Sequence, residues 1–93
     1  MINPVYSVYV DGARLGWSFR SLWAARYNAV TAAGAARAAS ALVVDDSTGE
    51  VMYQFSRSLG ILLQVYAAPG ADAIAYPPEK CFYNVSPAPA VGA

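Results

Sequence analysis

The chain has no histidine, a single cysteine (Cys81), a single lysine (Lys80) and only twelve charged residues in 93. Each shortage excludes something. Without histidine there is no Ser-His or Cys-His dyad within the chain, and the side chain that most often moves protons near neutral pH is missing. One cysteine cannot close an internal disulfide, and one cysteine without histidine cannot build a tetrahedral zinc site. No G-x-S-x-G elbow and no G-x-x-x-x-G-K phosphate loop occurs. No run approaches the roughly 18 uninterrupted apolar residues of a membrane-spanning helix. The start of the chain lacks the basic, then apolar, then small-residue pattern of a secretory signal. We therefore expect a cytoplasmic protein that is not an enzyme and uses no cofactor and no metal.

What is present is apolar. Hydrophobic residues make up 57% of the chain, with seven tyrosines, three phenylalanines and two tryptophans. That is enough for one small core, and the length suits one domain. Net charge is zero, yet residues 1–40 carry an excess of three positive charges and residues 41–93 the same excess of negative ones. A solvated face of each sign accounts for this. A nucleic-acid footprint would show a larger basic excess on one face.

Residues 5–17 read as a β-hairpin around Asp11-Gly12, a pair suited to a type I′ turn in which both central residues need positive φ. The implied register sets Val10 opposite Ala13, Tyr9 opposite Arg14, Val8 opposite Leu15, Ser7 opposite Gly16 and Tyr6 opposite Trp17. Apolar pairs then share one side of the ribbon. Ser18 stands where a helix N-cap belongs. After it, Phe19, Trp23, Tyr27 and Val30, with Leu22 alongside, form a helical stripe that would face a sheet. Arg20, Ala24, Asn28 and Thr31 mark the opposite side. The helix should run from about 18 to 36.

Residues 40–55 read as a second hairpin, with Asp46-Ser47-Thr48-Gly49 as a turn carrying a bulge. Val43 then pairs with Tyr53 and Ala41 with Phe55, while Leu42, Val44 and Met52 lie on the other side. Neither side is cleanly polar, so the second face invites a cover: the C-terminal segment, a second subunit or a partner. Residues 58–67 fit two states. As a helix, Ser58 caps a run with Leu59, Leu62, Leu63 and Tyr66 on one face; as a strand, the run extends the sheet. Periodicity does not separate the two in so short a run, and the helical spacing is the one we expect. Beyond Pro69, prolines punctuate the chain. Residues 81–85 suit a short edge strand, and 86–93 a disordered tail. The fold expected is a single α+β domain over 1–85, an antiparallel sheet from two hairpins with one helix on a face.

The acidic group Asp45, Asp46 and Glu50 matches no calcium loop and reads as a solvated turn. Cys81 reads as a buried structural thiol, since Lys80 beside it would point to the opposite face of a strand. The residues most suggestive of recognition are Tyr9, Arg14, Arg20 and Arg26. Exposed tyrosine and arginine anchor protein interfaces, and they also stack on bases or grip phosphates. Ordinary cross-strand packing with surface arginines is the plain alternative.

The order hairpin, helix, hairpin, with D-G and S-T-G-E turns over residues 5–55, resembles several small bacterial and phage β-β-α-β-β domains, including compact phage-encoded inhibitors of CRISPR effectors. The resemblance is one of architecture and carries no site residue with it. It implies a non-catalytic protein that occupies the surface of another protein, such as a nucleic-acid-processing complex. A structural homo-oligomer, a homodimer included, and a nucleic-acid binder using the arginine-bearing N-terminal half are the alternatives.

Overall fold

The computed structural model describes residues 4–71. Strands β1 (Tyr6–Val10) and β2 (Ala13–Phe19) precede helix α1 (Leu22–Ala36), and β3 (Ser40–Asp45), β4 (Val51–Ser58) and β5 (Ile61–Ala67) follow it. All five strands form one sheet in the order β2-β1-β3-β4-β5, with every neighbouring pair antiparallel. Strands β2 and β3 flank β1, so the chain must cross over β1 between them. Helix α1 makes that crossing and covers one face of the sheet. The α+β architecture matches the sequence expectation. The strand and tail expected at 81–85 and 86–93, and Cys81, lie outside the described residues.

Turn chemistry explains the hairpins. Asp11 and Gly12 both have positive φ (50° and 82°), as a type I′ turn requires. The Asp11 carboxylate also accepts hydrogen bonds from the backbone N–H groups of Ala39 and Ser40, at 2.9 and 3.1 Å, tying the first turn to the start of β3. In the second hairpin, Val43 pairs with Tyr53 and Ala41 with Phe55, the register read from the sequence. Gly49 takes the left-handed position of that turn at φ 77°.

Three expectations need correction. First, Val8, Ser7 and Tyr6 do not pair with Leu15, Gly16 and Trp17. The ladder shifts between Ser7 and Tyr9, so that Ser7 meets Ser18 and Tyr6 meets Phe19. Two extra residues in β2 deliver Phe19 into the core, where it is fully buried, and leave Trp17 exposed. A shift of two preserves which side each residue faces, so the pattern of sides alone cannot exclude it.

Second, α1 starts at Leu22 and its N-cap is Ser21, whose hydroxyl accepts from the Ala24 N–H at 3.2 Å; Ser18 lies within β2. The buried face of the helix is Leu22, Ala24, Ala25, Ala29 and Ala33 rather than the aromatic stripe. Trp23 and Tyr27 stack on each other at its flank, with centroids 5.4 Å apart. Tyr53, Phe19, Val8 and Val43 already fill much of the space between the layers, so beyond Leu22 in the first turn the fully buried helix positions are alanines.

Third, residues 61–67 form strand β5, not a helix. Leu59 and Gly60, at φ 51° and 79°, make a second type I′ turn between β4 and β5. Leucine is an unusual occupant of a left-handed position, and here its side chain is 98% exposed.

The C-terminal end of α1 is held from the sheet. The Arg57 guanidinium donates to the carbonyls of Ala33 (3.1 Å), Ala38 (2.8 Å) and Gly60 (3.0 Å). One cation thus adds a second partner to the Ala33 carbonyl, which the Ala38 N–H already meets at 2.9 Å, meets the carbonyl of Ala38 beyond the helix, sits at the negative pole of the dipole and braces the β4–β5 turn. Replacing it should be costly, because hydrogen bonds to charged groups are the stronger kind. We expect Arg57→Ala to lower unfolding stability by about 2 kcal/mol, read from the urea midpoint. Leu59→Asn should raise stability in dilute solution by up to about 1 kcal/mol, since asparagine tolerates the left-handed conformation; an unchanged or lower midpoint would refute the strain at Leu59.

Candidate functional site

The helix covers the side of the sheet bearing Tyr6, Val8, Ala41, Val43, Tyr53 and Phe55, all buried. Alternation along the strands then places Ser7 and Tyr9 of β1, Arg14 and Ser18 of β2, and Leu42 and Val44 of β3 on the outer side. Among the described residues no second layer is laid over this outer side. Tyr9 pairs with Arg14 on one flank and with Leu42 on the other, so an aromatic, a cation and an aliphatic group form a row across three strands.

Arg14 is held in place. Its Nε donates to the Ser7 hydroxyl at 3.1 Å and one terminal nitrogen donates to the Ser18 hydroxyl at 2.8 Å. Ser7 in turn donates to the Asp46 carboxylate at 2.7 Å. These contacts span the irregularity in the β1–β2 ladder, and that is where Arg14 has structural work. Among the described residues Ser7 is the one buried polar residue, and the chain Arg14–Ser7–Asp46 satisfies it. The guanidinium itself stays at the surface.

The four residues singled out from the sequence do not converge. Tyr9 and Arg14 are adjacent on the outer side. Arg20 is exposed in the connection between β2 and α1, not on a helix face as expected, because the helix begins two residues later. Arg26 lies on the other side of the sheet, beneath the helix. It donates through two nitrogens to the Gln64 side-chain oxygen, at 3.1 and 2.8 Å, and its guanidinium carbon sits 5.2 Å from the centre of the Tyr53 ring and 5.6 Å from that of Phe55. It joins α1 to β4 and β5 by a cation–π and hydrogen-bond contact. The sequence signal that could have placed Arg26, which is half-buried, on the helix side of the sheet is Gln64, an exposed polar residue in an otherwise apolar run.

The acidic turn behaves as a turn. Asp45 accepts from the Ser47 N–H (2.9 Å) and hydroxyl (2.6 Å), a local turn bond, while the Asp46 carboxylate is engaged by Ser7. Among the described residues no group of three acidic or thiol side chains is placed to hold a metal ion. What the site can do is present an ordered aromatic–cation–aliphatic surface.

Comparison with family models, with curated proteins and with solved structures finds no match to this chain. No helix among the described residues is long and apolar enough to cross a membrane.

One titration bears on this end of the sheet. Burial, and then the negative charge of Asp45 beside it in the ladder, push the Tyr6 phenol above its ordinary value. The folded state therefore resists losing that proton. Its contribution to stability is complete below the ordinary tyrosine value, near pH 10, and falls as pH rises through the folded value. Wild-type stability should decline more steeply above about pH 10 than that of Tyr6→Phe, measured by urea unfolding across that range. Parallel pH profiles would refute it.

Proposed function

We propose that the chain is a small non-catalytic protein-binding module that acts by occupying the surface of another protein with the outer side of its sheet. The observation that carries this reading is the row Tyr9, Arg14 and Leu42 on a sheet side that no described residue covers. Tyrosine and arginine are the residue types over-represented where truncation costs most binding energy. Arg14 is already ordered by Ser7 and Ser18, so little side-chain entropy is lost when a partner docks on it.

The lack of histidine and of a thiol pair supports a non-catalytic role. Nucleic-acid binding draws less support, since Arg14 is the only cation in this row and Arg26 is engaged beneath the helix. Inhibition of a nucleic-acid-processing complex, as in the phage domains of similar architecture, is one form such a module can take.

A tagged pull-down from host lysate, with and without nuclease, tests the reading. The expected result is one stoichiometric protein that survives nuclease. Its affinity should fall about tenfold or more in Tyr9→Ala, and again in Tyr9→Ala with Arg14→Ala, while circular dichroism shows both variants folded. Undiminished binding by the double variant would move the interface elsewhere. Loss of all bound protein on nuclease treatment would favour nucleic acid.

A further inference from the structure

The two edges of the sheet are unlike. The β2 edge is interrupted by its ladder irregularity and carries Arg14, both of which discourage pairing with another strand. The β5 edge carries no lysine, arginine or proline, and its one irregularity, the extra residue Val65, leaves the stretch from Ile61 to Gln64 regular. Residues 58–71 contain no charged side chain, and Ile61, Leu63, Val65 and Tyr66 of β5 are exposed large hydrophobic groups, with Leu59 at the adjoining turn. Natural edge strands of this length usually bear a lysine, a proline or a bulge that turns them away from neighbours.

The geometry points to a second copy of this chain as the occupant of the β5 edge, two β5 strands pairing antiparallel about a two-fold axis at Leu63. The β4–β5 turn sets the phase. Ser58 and Ile61 flank a two-residue turn, so their main-chain groups bond each other. Alternation then directs the Leu63 main chain towards β4 and those of Leu62 and Gln64 outwards. A two-fold at Leu63 lets Leu62 and Gln64 exchange main-chain bonds with the partner's Gln64 and the partner's Leu62. The same register brings Ile61 against the partner's Val65, Leu63 against the partner's Leu63, and Leu59 level with the partner's Ala67.

Alternative registers fit less well. The β4–β5 ladder shifts between Gln54 and Phe55, leaving Val65 as the additional residue in β5. Beyond it the outward phase is lost, so moving the axis to Gln64 would set the outward groups of Leu62 against Tyr66, past the irregularity. That β5 itself is uncharged matters for self-pairing, because any charge on the strand near a two-fold axis faces its own copy; the nearest cation, Arg26, is engaged by Gln64, Tyr53 and Phe55 on the helix side of the sheet. The exposed apolar side chains of β5 and Leu59 amount to an area on the order of 500 Å² per copy, the size of the patch that on a monomer often marks an interaction site. Edge pairing covers only part of this area in each copy, so the contact lies at or below the roughly 1,000 Å² expected of a specific stable interface, and the dimer is a weak, reversible one. This inference uses residues apart from Tyr9 and Arg14 and stands independently of the partner-binding reading.

Sedimentation of the full chain over a range of micromolar concentrations tests it. Wild type is expected to show a monomer–dimer equilibrium, weakened at least tenfold by Leu63→Lys, which sets two ammonium groups together at the axis. In a Cys81→Ser background, Leu63→Cys should form an intermolecular disulfide under mild oxidation. Directly opposed residues in a non-hydrogen-bonded pair have Cα atoms about 4.5 Å apart, within disulfide reach. Three outcomes would overturn the proposal: a monomer at every concentration, a dimer indifferent to Leu63→Lys, or a wild-type dimer whose Leu63→Cys variant does not cross-link. A monomer with slowly exchanging β5 amides would mean that another segment of the same chain covers the edge, which also overturns it.

Discussion

The closeness of the helix to the sheet governs much of this structure. Ala25, Ala29 and Ala33 follow one another at four-residue intervals, and all are buried against a layer already filled by Tyr53, Phe19, Val8 and Val43. A methyl group at each position lets the helix backbone approach where a leucine would hold it off. Larger groups in that layer would force off-rotamer side chains and backbone shifts. The bulky helical residues Trp23 and Tyr27 are consequently carried to the flank, where they stack. The same approach brings the carbonyls of Ala33 and Ala38 within reach of Arg57 on β4.

With few charged residues, this chain uses arginine as a multi-donor bracket. Arg57 joins the helix end to the β4–β5 turn, Arg26 joins the helix to Gln64 beneath it, and Arg14 spans the irregular stretch of the first hairpin. A planar guanidinium with five donors can meet several carbonyl and hydroxyl acceptors at once, which a lysine ammonium cannot do with the same rigidity. Of these three, only Arg14 combines this role with a place on the side of the sheet that no described element covers, and that double position is why the functional reading rests on it and Tyr9. The β5 edge offers a separate surface of different chemistry, main-chain groups framed by aliphatic side chains. A dimer formed there would extend the sheet without touching the row at Tyr9, leaving two copies of that row available to partners.

Local chemistry decided the hairpins. Asp11-Gly12 supplies a turn that needs positive φ at two successive positions, and Gly49 does the same for one, so the position and pairing of residues 41–43 and 53–55 follow from neighbours in sequence. The α+β class and one helix on one face follow likewise from a hairpin, an apolar helical segment and another hairpin. The Tyr9–Arg14 adjacency was legible because it is the second pair out from the turn, before the ladder shifts. Tertiary structure decided the rest. Ser18 and Ser21 are equally good caps in isolation, and the choice fell to Ser21 because Phe19 is needed in the core as part of β2. The helix buries alanines because the volume beneath it belongs to side chains from other elements. Residues 61–67 have a helical spacing of leucines, yet β4 offered an unpaired row of main-chain groups, and Leu59-Gly60 could turn tightly enough to bring them alongside. Turns depend on the φ preferences of adjacent residues, which a sequence displays, whereas caps, faces and edge strands depend on competition for shared volume and hydrogen-bond partners, which exists only once the chain is folded.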